Sequence, residues 1–200
     1  LGQDTIFGSG FETGDLSEWS ASSTNNGKLI TTKSAAYWGY YGLQANILDN
    51  SDMFVQDDTP TTEQEFHARF YFNLNNLTMA AGDTLTIFNG YSGSTQVLKV
   101  LLQKASGKYQ LKISVLDNSS MWKDSGWYDI LTGWNGVEIS SIPGTSSGTL
   151  DLKINGSSQY TVTNLTNTNA KIDSVKLGAM NVATETRGVV YFDDYESRRL

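Results

Sequence analysis

The chain has 200 residues, with 14 basic and 21 acidic side chains and a formal net charge of −7. A charge of this sign repels phosphate backbones and anionic membrane surfaces, so we expect no nucleic-acid partner. Cysteine is absent, which excludes disulfides, thiolate metal sites and thiol redox chemistry. No apolar run is long enough for membrane insertion, and the length suits one β-sandwich domain over residues 1–200.

The first third of the chain predicts short strands joined by polar loops. A corner with the sequence FETGDLSEW occupies 11–19, after the first strand. The Ser/Thr/Asn run at 20–27 has no apolar period, so it predicts a loop. One helical turn at most is expected, at 57–64 or at 73–81. The predicted strands of this part are 5–7, 28–32, 40–48 and 53–56.

The middle of the chain contains the clearest alternating strand, at 65–73. Its apolar residues fall on one face, and His67, Arg69 and Tyr71 fall on the other, which would face away from the core. Turn signals at 89–90 and at 105–107 then separate three segments that predict a meander. The segments of this meander are 84–88, 96–104 and 108–116.

The last part of the chain predicts further short strands and one buried strand that closes the fold. Asn155-Gly156 is a strong signal for a two-residue hairpin. The final segment, 188–199, is apolar on both faces until Asp193 and Asp194, so these acids need compensating partners beside the core. The strands predicted here are 127–130, 136–140, 149–154, 159–162, 172–180 and 188–199. Alternation without sustained helical period indicates an all-β, two-sheet antiparallel sandwich.

Four segments together carry a resemblance to a known family. They are FETGDLSEW near the start, GYYGLQ at 39–44, ARFYF at 68–72 and YFDDYESRR at the end. In this order they resemble secreted bacterial domains of the concanavalin A-like lectin/glucanase family, with LamG-like and carbohydrate-binding modules among them. The resemblance implies a jelly-roll fold, adjacent first and last strands, and a secreted or cell-surface location.

The resemblance also implies a structural calcium ion that joins the two chain ends. Carried over by position, Glu12 and Asp193 would supply carboxylates, and Gly10 and Tyr41 would supply backbone carbonyls. Calcium prefers six to eight oxygen ligands of these kinds. The alternative is that Asp193 accepts hydrogen bonds from backbone amides or pairs with an arginine at the strand end.

Aromatic and polar residues on the predicted outer faces are candidates for binding a polysaccharide, because aromatic rings stack on sugar rings. The favoured set would line one concave groove; it comprises His67, Arg69, Tyr71, Lys99, Gln103, Lys112 and Trp122. Further aromatic candidates are Tyr37, Trp38, Tyr109, Trp127 and Trp134. Buried, structural roles are expected for Phe11, Trp19, Phe70, Phe72, Tyr191 and Phe192.

Function is left among three classes. A non-catalytic carbohydrate-binding module of a larger protein is favoured by the aromatic content. A structural subunit is the second class, because open edge strands would allow self-assembly. A polysaccharide lyase is the third and is less favoured, since His67 is the only histidine and no lyase-type motif surrounds it. Two-carboxylate glycosidase and zinc chemistry both lack the required residues.

Overall fold

Sixteen strands form two antiparallel sheets packed face to face in the computed structural model, which describes residues 4–200. This confirms the all-β jelly-roll sandwich. Sheet A contains β1 (Thr5–Ser9), β3 (Leu29–Thr32), β4 (Gly42–Ile47), β6 (Phe66–Asn73), β12 (Trp134–Ile142), β13 (Gly148–Ile154), β14 (Ser157–Leu165) and β16 (Gly188–Arg198). Sheet B contains β2 (Ala21–Ser23), β5 (Met53–Asp57), β7 (Thr84–Ser92), β8 (Thr95–Ala105), β9 (Lys108–Leu116), β10 (Trp122–Asp124), β11 (Tyr128–Asp129) and β15 (Ser174–Met180).

The closing strand β16 lies at the centre of sheet A. The strand order is β14-β13-β12-β6-β16-β4-β3, and β1 pairs with the C-terminal part of β16. Ser9 lies opposite Tyr195, and Thr5 lies opposite Arg198. The predicted contact between the first and last strands is therefore confirmed.

Large apolar side chains from both sheets fill the space between the layers. Phe70 on β6 and Phe88 on β7 stack across this space with ring centroids 5.9 Å apart. Both rings are fully buried, and complete burial of such a side chain contributes about 1.5–3 kcal/mol. The strand β6 alternates buried and half-buried residues throughout, which places His67, Arg69 and Tyr71 on the outer face, as predicted.

A β-bulge interrupts β16 where its two acids occur. The register with β6 shifts between Asp193 and Glu196, and Asp194 has a positive φ of 49°. Phe192 and Asp193 are consequently both buried, whereas Asp194 lies on the outer face and pairs with Arg69. Simple alternation along the sequence cannot place these residues, because the extra residue of a bulge changes the phase of the strand.

The meander β7-β8-β9 and the Asn155-Gly156 hairpin form as predicted, but one turn lies elsewhere. The turn signal at 89–90 is wrong, since both residues belong to β7 and the chain turns at 93–94. Gly90 is required for packing. A Cβ there would lie 2.9 Å from Ile172 Cδ1 and 3.1 Å from Leu98 Cβ.

Three short elements also differ from the sequence predictions. The loop at 20–27 contains the edge strand β2, whose polar residues pair with β5 without any apolar alternation. The strand β10, which is absent from the predictions, pairs with the end of β9. Among residues 4–200, the single helical turn is a 3₁₀ turn at Lys33–Ala35. Helical turns were expected at most within 57–64 or 73–81.

The sheets leave edge strands at β14 and β3 in sheet A and at β2 and β10 in sheet B. Self-assembly through these edges stays a prediction. Within 4–200, the structure has no helix of the length and apolarity needed to cross a membrane.

Candidate functional site

Four aromatic rings cluster on the outer face of sheet A, and we call this cluster the aromatic patch. The rings of Tyr37 and Tyr71 stack with centroids 3.9 Å apart and planes 16° apart. Trp134 lies 5.2 Å from Tyr37, and Tyr191 lies 6.4 Å from Trp134. A continuous aromatic surface of this kind can contact the apolar face of a ring-shaped ligand.

Strand register places the sheet residues of the aromatic patch side by side. Asn73 on the central strand β6 pairs with Trp134 on one side and with Tyr191 on the other. Tyr71 lies one outward position further along β6, opposite Gly136 of β12. A Cβ at Gly136 would lie 3.3 Å from Tyr71 Cε1, so the glycine lets the tyrosine ring lie close to the sheet.

The fourth ring, Tyr37, belongs to a loop that two carboxylates hold against the sheet. Asp193 Oδ2 accepts hydrogen bonds from the backbone N–H groups of Tyr37 at 2.7 Å and Trp38 at 3.0 Å. Glu12 Oε1 accepts hydrogen bonds from the N–H groups of Tyr40 at 3.0 Å and Tyr41 at 2.9 Å. We call the segment 37–41 the aromatic loop.

The aromatic loop needs a glycine at its centre and presents two further rings to solvent. Gly39 has a φ of +81°, and a Cβ there would lie 2.5 Å from Glu12 Oε1. Trp38 is 77% exposed and Tyr40 is 73% exposed. Large aromatic side chains exposed to this degree, beside an aromatic patch, suit contact with a ligand better than a structural role.

A groove of about 450 Å³ continues from the aromatic patch along the outer face of sheet A. Its floor is a row of alternating charges on four neighbouring strands, in which the pairs Glu196–Arg69, Arg69–Glu138 and Glu138–Lys153 are in register. Arg69 connects the two regions, since its guanidinium lies 5.8 Å from the centroid of the Tyr71 ring. Polar groups beside aromatic rings are typical of sites that fix the orientation of a ligand.

Several charged side chains of the groove already form ion pairs or hydrogen bonds with one another or with adjacent residues. Arg69 lies 3.0 Å from Asp194 and 3.5 Å from Glu196. His67 Nε2 lies 2.9 Å from Glu65 Oε1. These contacts are exposed enough to exchange with ligand hydroxyl groups at small cost, because surface ion pairs contribute about 0–1 kcal/mol.

The seven predicted binding residues do not line one groove. His67, Arg69 and Tyr71 lie on the outer face of sheet A, as the prediction requires. The remaining four lie on the outer face of sheet B, on the opposite side of the sandwich; they are Lys99, Gln103, Lys112 and Trp122. The prediction of a single groove is wrong because β6 and β8 belong to different sheets, which the alternation pattern alone does not show.

Tyr191 is the member of the aromatic patch that sequence reasoning assigned to the core. It is half-buried on the outer face, whereas Phe11, Trp19, Phe70, Phe72 and Phe192 are buried as predicted. The outward position of Tyr191 could have been found from its neighbour Phe192. Adjacent residues of a strand face opposite sides of the sheet, and Phe192 faces inward.

Two of the four predicted calcium ligands, Glu12 and Asp193, contact the aromatic loop, and their chemistry can be compared with the needs of the ion. Glu12 and Asp193 both receive hydrogen bonds from the loop, and Asp194 N–H donates to Asp193 Oδ1 at 2.7 Å. A carboxylate has about four lone-pair sites, so each retains some capacity. With the Gly10 and Tyr41 carbonyls, the set would supply four ligands of the six to eight that calcium prefers.

The rest of the structure adds little to this set of ligands. Within 4–200, no group of three or more histidine, aspartate or glutamate side chains is arranged to hold a metal ion. The residues therefore fit a part of a calcium shell, and water or other carbonyl groups would have to complete it.

Comparison with solved structures identifies similar sandwiches of low sequence identity. Domain 4 of the extracellular arabinanase AbnA from Geobacillus stearothermophilus, in complex with arabinotriose, has a TM-score of 0.62 and 18% identity, covering 98% of this chain and 92% of that one. The cellulose-induced protein Cip1 has a TM-score of 0.68 and 16% identity, covering 97% of both chains. The alginate lyase Aly36B, in complex with an alginate tetrasaccharide, has a TM-score of 0.62 and 13% identity, covering 100% and 93%.

These identities establish a shared fold and no more. No family model matches the chain, and no curated protein matches it.

Proposed function

We propose that this chain is a non-catalytic polysaccharide-binding module of a larger secreted or cell-surface bacterial protein. The observation that carries the proposal is the aromatic patch on the outer face of sheet A, together with the exposed Trp38 and Tyr40 of the aromatic loop. Sugar rings present flat C–H faces that stack on aromatic side chains, and their hydroxyl groups need polar partners beside the stack. The adjoining groove offers such partners in Arg69 and Glu138.

The structural neighbours support the proposal at the level of ligand class. Domain 4 of the arabinanase is described with arabinotriose, and the alginate lyase is described with an alginate tetrasaccharide. Both share this fold over more than nine-tenths of this chain. Two sandwiches of this architecture that bind oligosaccharides make a sugar the first ligand to test.

Replacement of Trp134 by alanine should abolish most of the affinity for a sugar ligand. Screening on a glycan array would identify a neutral oligosaccharide, and calorimetry would measure its dissociation constant. Truncation of a central aromatic contact costs about 2 kcal/mol, so Trp134→Ala should weaken binding at least tenfold. Tyr71→Ala should do the same if the melting temperature shows that the fold is intact.

The matched control is Trp122→Ala, which removes a tryptophan from the outer face of sheet B. It should leave the dissociation constant of the neutral oligosaccharide within about twofold of the wild-type value. Equal losses for both tryptophans would contradict a site on sheet A. Absence of any hit across plant, algal and microbial polysaccharides would favour the structural class.

We also propose that a calcium ion stabilises the junction of the chain ends at Glu12 and Asp193. Support comes from the convergence of these carboxylates on the aromatic loop and from the burial of Asp193. Burial raises the pKa of Asp193 to about 6, so a nearby cation would relieve the cost of its ionised form.

Removal of calcium should lower the melting temperature. At a calcium concentration about a thousand times the dissociation constant, binding adds roughly 4 kcal/mol to the free energy of unfolding. For a domain of this length, that corresponds to a shift on the order of 10 °C. Differential scanning calorimetry should show the decrease with EDTA and recovery with calcium but not with magnesium. A melting curve indifferent to both treatments, or a full calcium response in Asp193→Asn, would exclude this site.

A further inference from the structure

The outer face of sheet B carries two lysines that lie against tryptophan rings. Lys99 Nζ lies 4.0 Å from the centroid of the Trp122 ring, and Lys112 Nζ lies 4.8 Å from that of Trp127. Strand β10 and the segment before β11 bring these rings over the end of the meander. Each ammonium is held in place by the ring beneath it, and its remaining N–H donors can contact a ligand.

A buried hydroxyl group without a partner lies on the same face. Ser114 is opposite Lys99 on β8 and opposite Asp124 on β10, so the side chains of all three lie on the outer face of sheet B. Ser114 is 0% exposed, and its Oγ has no hydrogen-bond partner in the part of the chain that the structure describes. A buried hydroxyl group without a partner costs about 1–3 kcal/mol, so a ligand atom or a water that accepts its proton would stabilise this face.

The two lysines differ in how their charge is compensated. Lys112 lies 3.5 Å from Asp124. Lys99 forms no ion pair of 4.0 Å or less with any carboxylate among residues 4–200. Burial lowers the pKa of Lys99; the nearby charge of Asp124 opposes this shift, and that of Lys112 adds to it. In a chain of net charge −7, a half-buried ammonium without a carboxylate partner is an anion-binding feature.

We propose that the outer face of sheet B holds a second binding site, for a sugar residue that bears a carboxylate or a sulfate. Lys99 and Lys112 would bind the acid group, and displacement of the side chains that cover Ser114 would let its Oγ donate a hydrogen bond to it. Trp122 is half-buried, so part of its side chain is accessible to the sugar. Gln103, whose Nε2 donates to Gln110 Oε1 at 2.9 Å, lies on the same face and supplies amide groups for hydroxyls.

This site is separate from the aromatic patch, because the two outer faces lie on opposite sides of the sandwich. It can therefore be present or absent whatever the outcome on sheet A. The lysines would make its ligand acidic, whereas the aromatic patch would accept a neutral sugar.

Calorimetry with three matched oligosaccharides tests the proposal. The probes are a tetramer of uronic acids, the same tetramer with its carboxyl groups reduced to alcohols, and a sulfated neutral tetramer. The uronate or the sulfated probe should bind at least tenfold more tightly than the reduced probe, and its affinity should fall as salt is added. Preference for the first identifies a carboxylate ligand, and preference for the second identifies a sulfate; either supports the site.

Substitutions assign the binding to sheet B. Lys99→Met keeps the length of the side chain and should weaken binding of the preferred acidic probe at least fivefold, as should Trp122→Ala. The control is Lys153→Met, which removes a lysine from the groove of sheet A and should change the affinity less than twofold. The melting temperature of each variant shows whether the fold is intact.

Three results would overturn the proposal. They are equal binding of the acidic and reduced probes, no binding of either acidic probe, and loss of binding in Lys153→Met with full binding in Lys99→Met. The last result would place the acidic ligand on sheet A. Failure of the neutral oligosaccharide to bind the aromatic patch would leave these measurements unaffected.

Discussion

Asp193→Ala should lower the free energy of unfolding by about 2–4 kcal/mol at pH 5 and should release the aromatic loop from the sheet. The Asp193 carboxyl group is 0% exposed and accepts hydrogen bonds from three backbone amides, those of Tyr37, Trp38 and Asp194. Each donor that stays buried without an acceptor costs about 1–3 kcal/mol, but amides of the exposed loop can partly recover bonds with water. The expected loss of unfolding free energy is therefore smaller than the cost of three buried amides without acceptors.

Urea unfolding measures this change, and a substitution of the adjacent residue, Asp194, provides a matched control. Asp194 is half-buried on the outer face and pairs with Arg69 at 3.0 Å. Asp194→Asn tolerates the positive φ of that position and loses only a surface ion pair, so it should cost less than about 1 kcal/mol. Equal effects of Asp193→Ala and Asp194→Asn would show that the buried carboxylate does not organise the loop.

The same variant connects stability to ligand binding. Tyr37 contributes one ring of the aromatic patch, and its backbone N–H is held directly by Asp193. A released aromatic loop would have to be ordered again when a sugar binds, and this conformational entropy lowers affinity. Asp193→Ala should therefore weaken binding of the neutral oligosaccharide, although Asp193 contributes no ring to the patch.

The sandwich and the central place of β16 could be predicted from local patterns. Alternation in β6 and the continuous apolar run before Asp193 both reflect which faces are buried, because apolar residue types indicate buried positions. The pairing of β1 with β16 came from the resemblance. Sequence reasoning indicated that Asp193 needs a partner and favoured calcium; the amides of Tyr37 and Trp38, which the structure shows, were the alternative.

The distribution of candidate residues between the two sheets could not be predicted in the same way. Outward-facing residues on β6 and β8 follow the same alternation, and nothing in that pattern records which sheet a strand joins. Sheet membership depends on long-range pairing, such as that of β6 with β12 and β16. The bulge at Asp194 is a further example, because one extra residue changes which side chains face outward.

The stability of the calcium-free protein should fall as the pH rises from about 4 to about 6. Burial raises the pKa of Asp193 from 3.8 to about 6, while the amides of Trp38 and Tyr37 oppose this shift. In that pH range the folded protein keeps a proton that the unfolded chain has released, so raising the pH favours unfolding. This one carboxyl group should account for a decrease of about 2 kcal/mol over that range. Burial also raises the pKa of Asp57, which acts in the same direction.

Urea unfolding at pH 4, 5, 6 and 7 in buffer with EDTA isolates the contribution of Asp193 when the wild type is compared with Asp193→Asn. Asparagine does not titrate, but it keeps an oxygen that can accept the Tyr37 and Trp38 amides. The difference in free energy of unfolding, wild type minus variant, should therefore fall by about 2 kcal/mol between pH 4 and pH 6 and level off near pH 7. The titration of Asp57 and of the exposed carboxylates cancels in this difference. Parallel pH profiles for the two proteins would show that Asp193 titrates near its unfolded value, and that the amides compensate its charge in full.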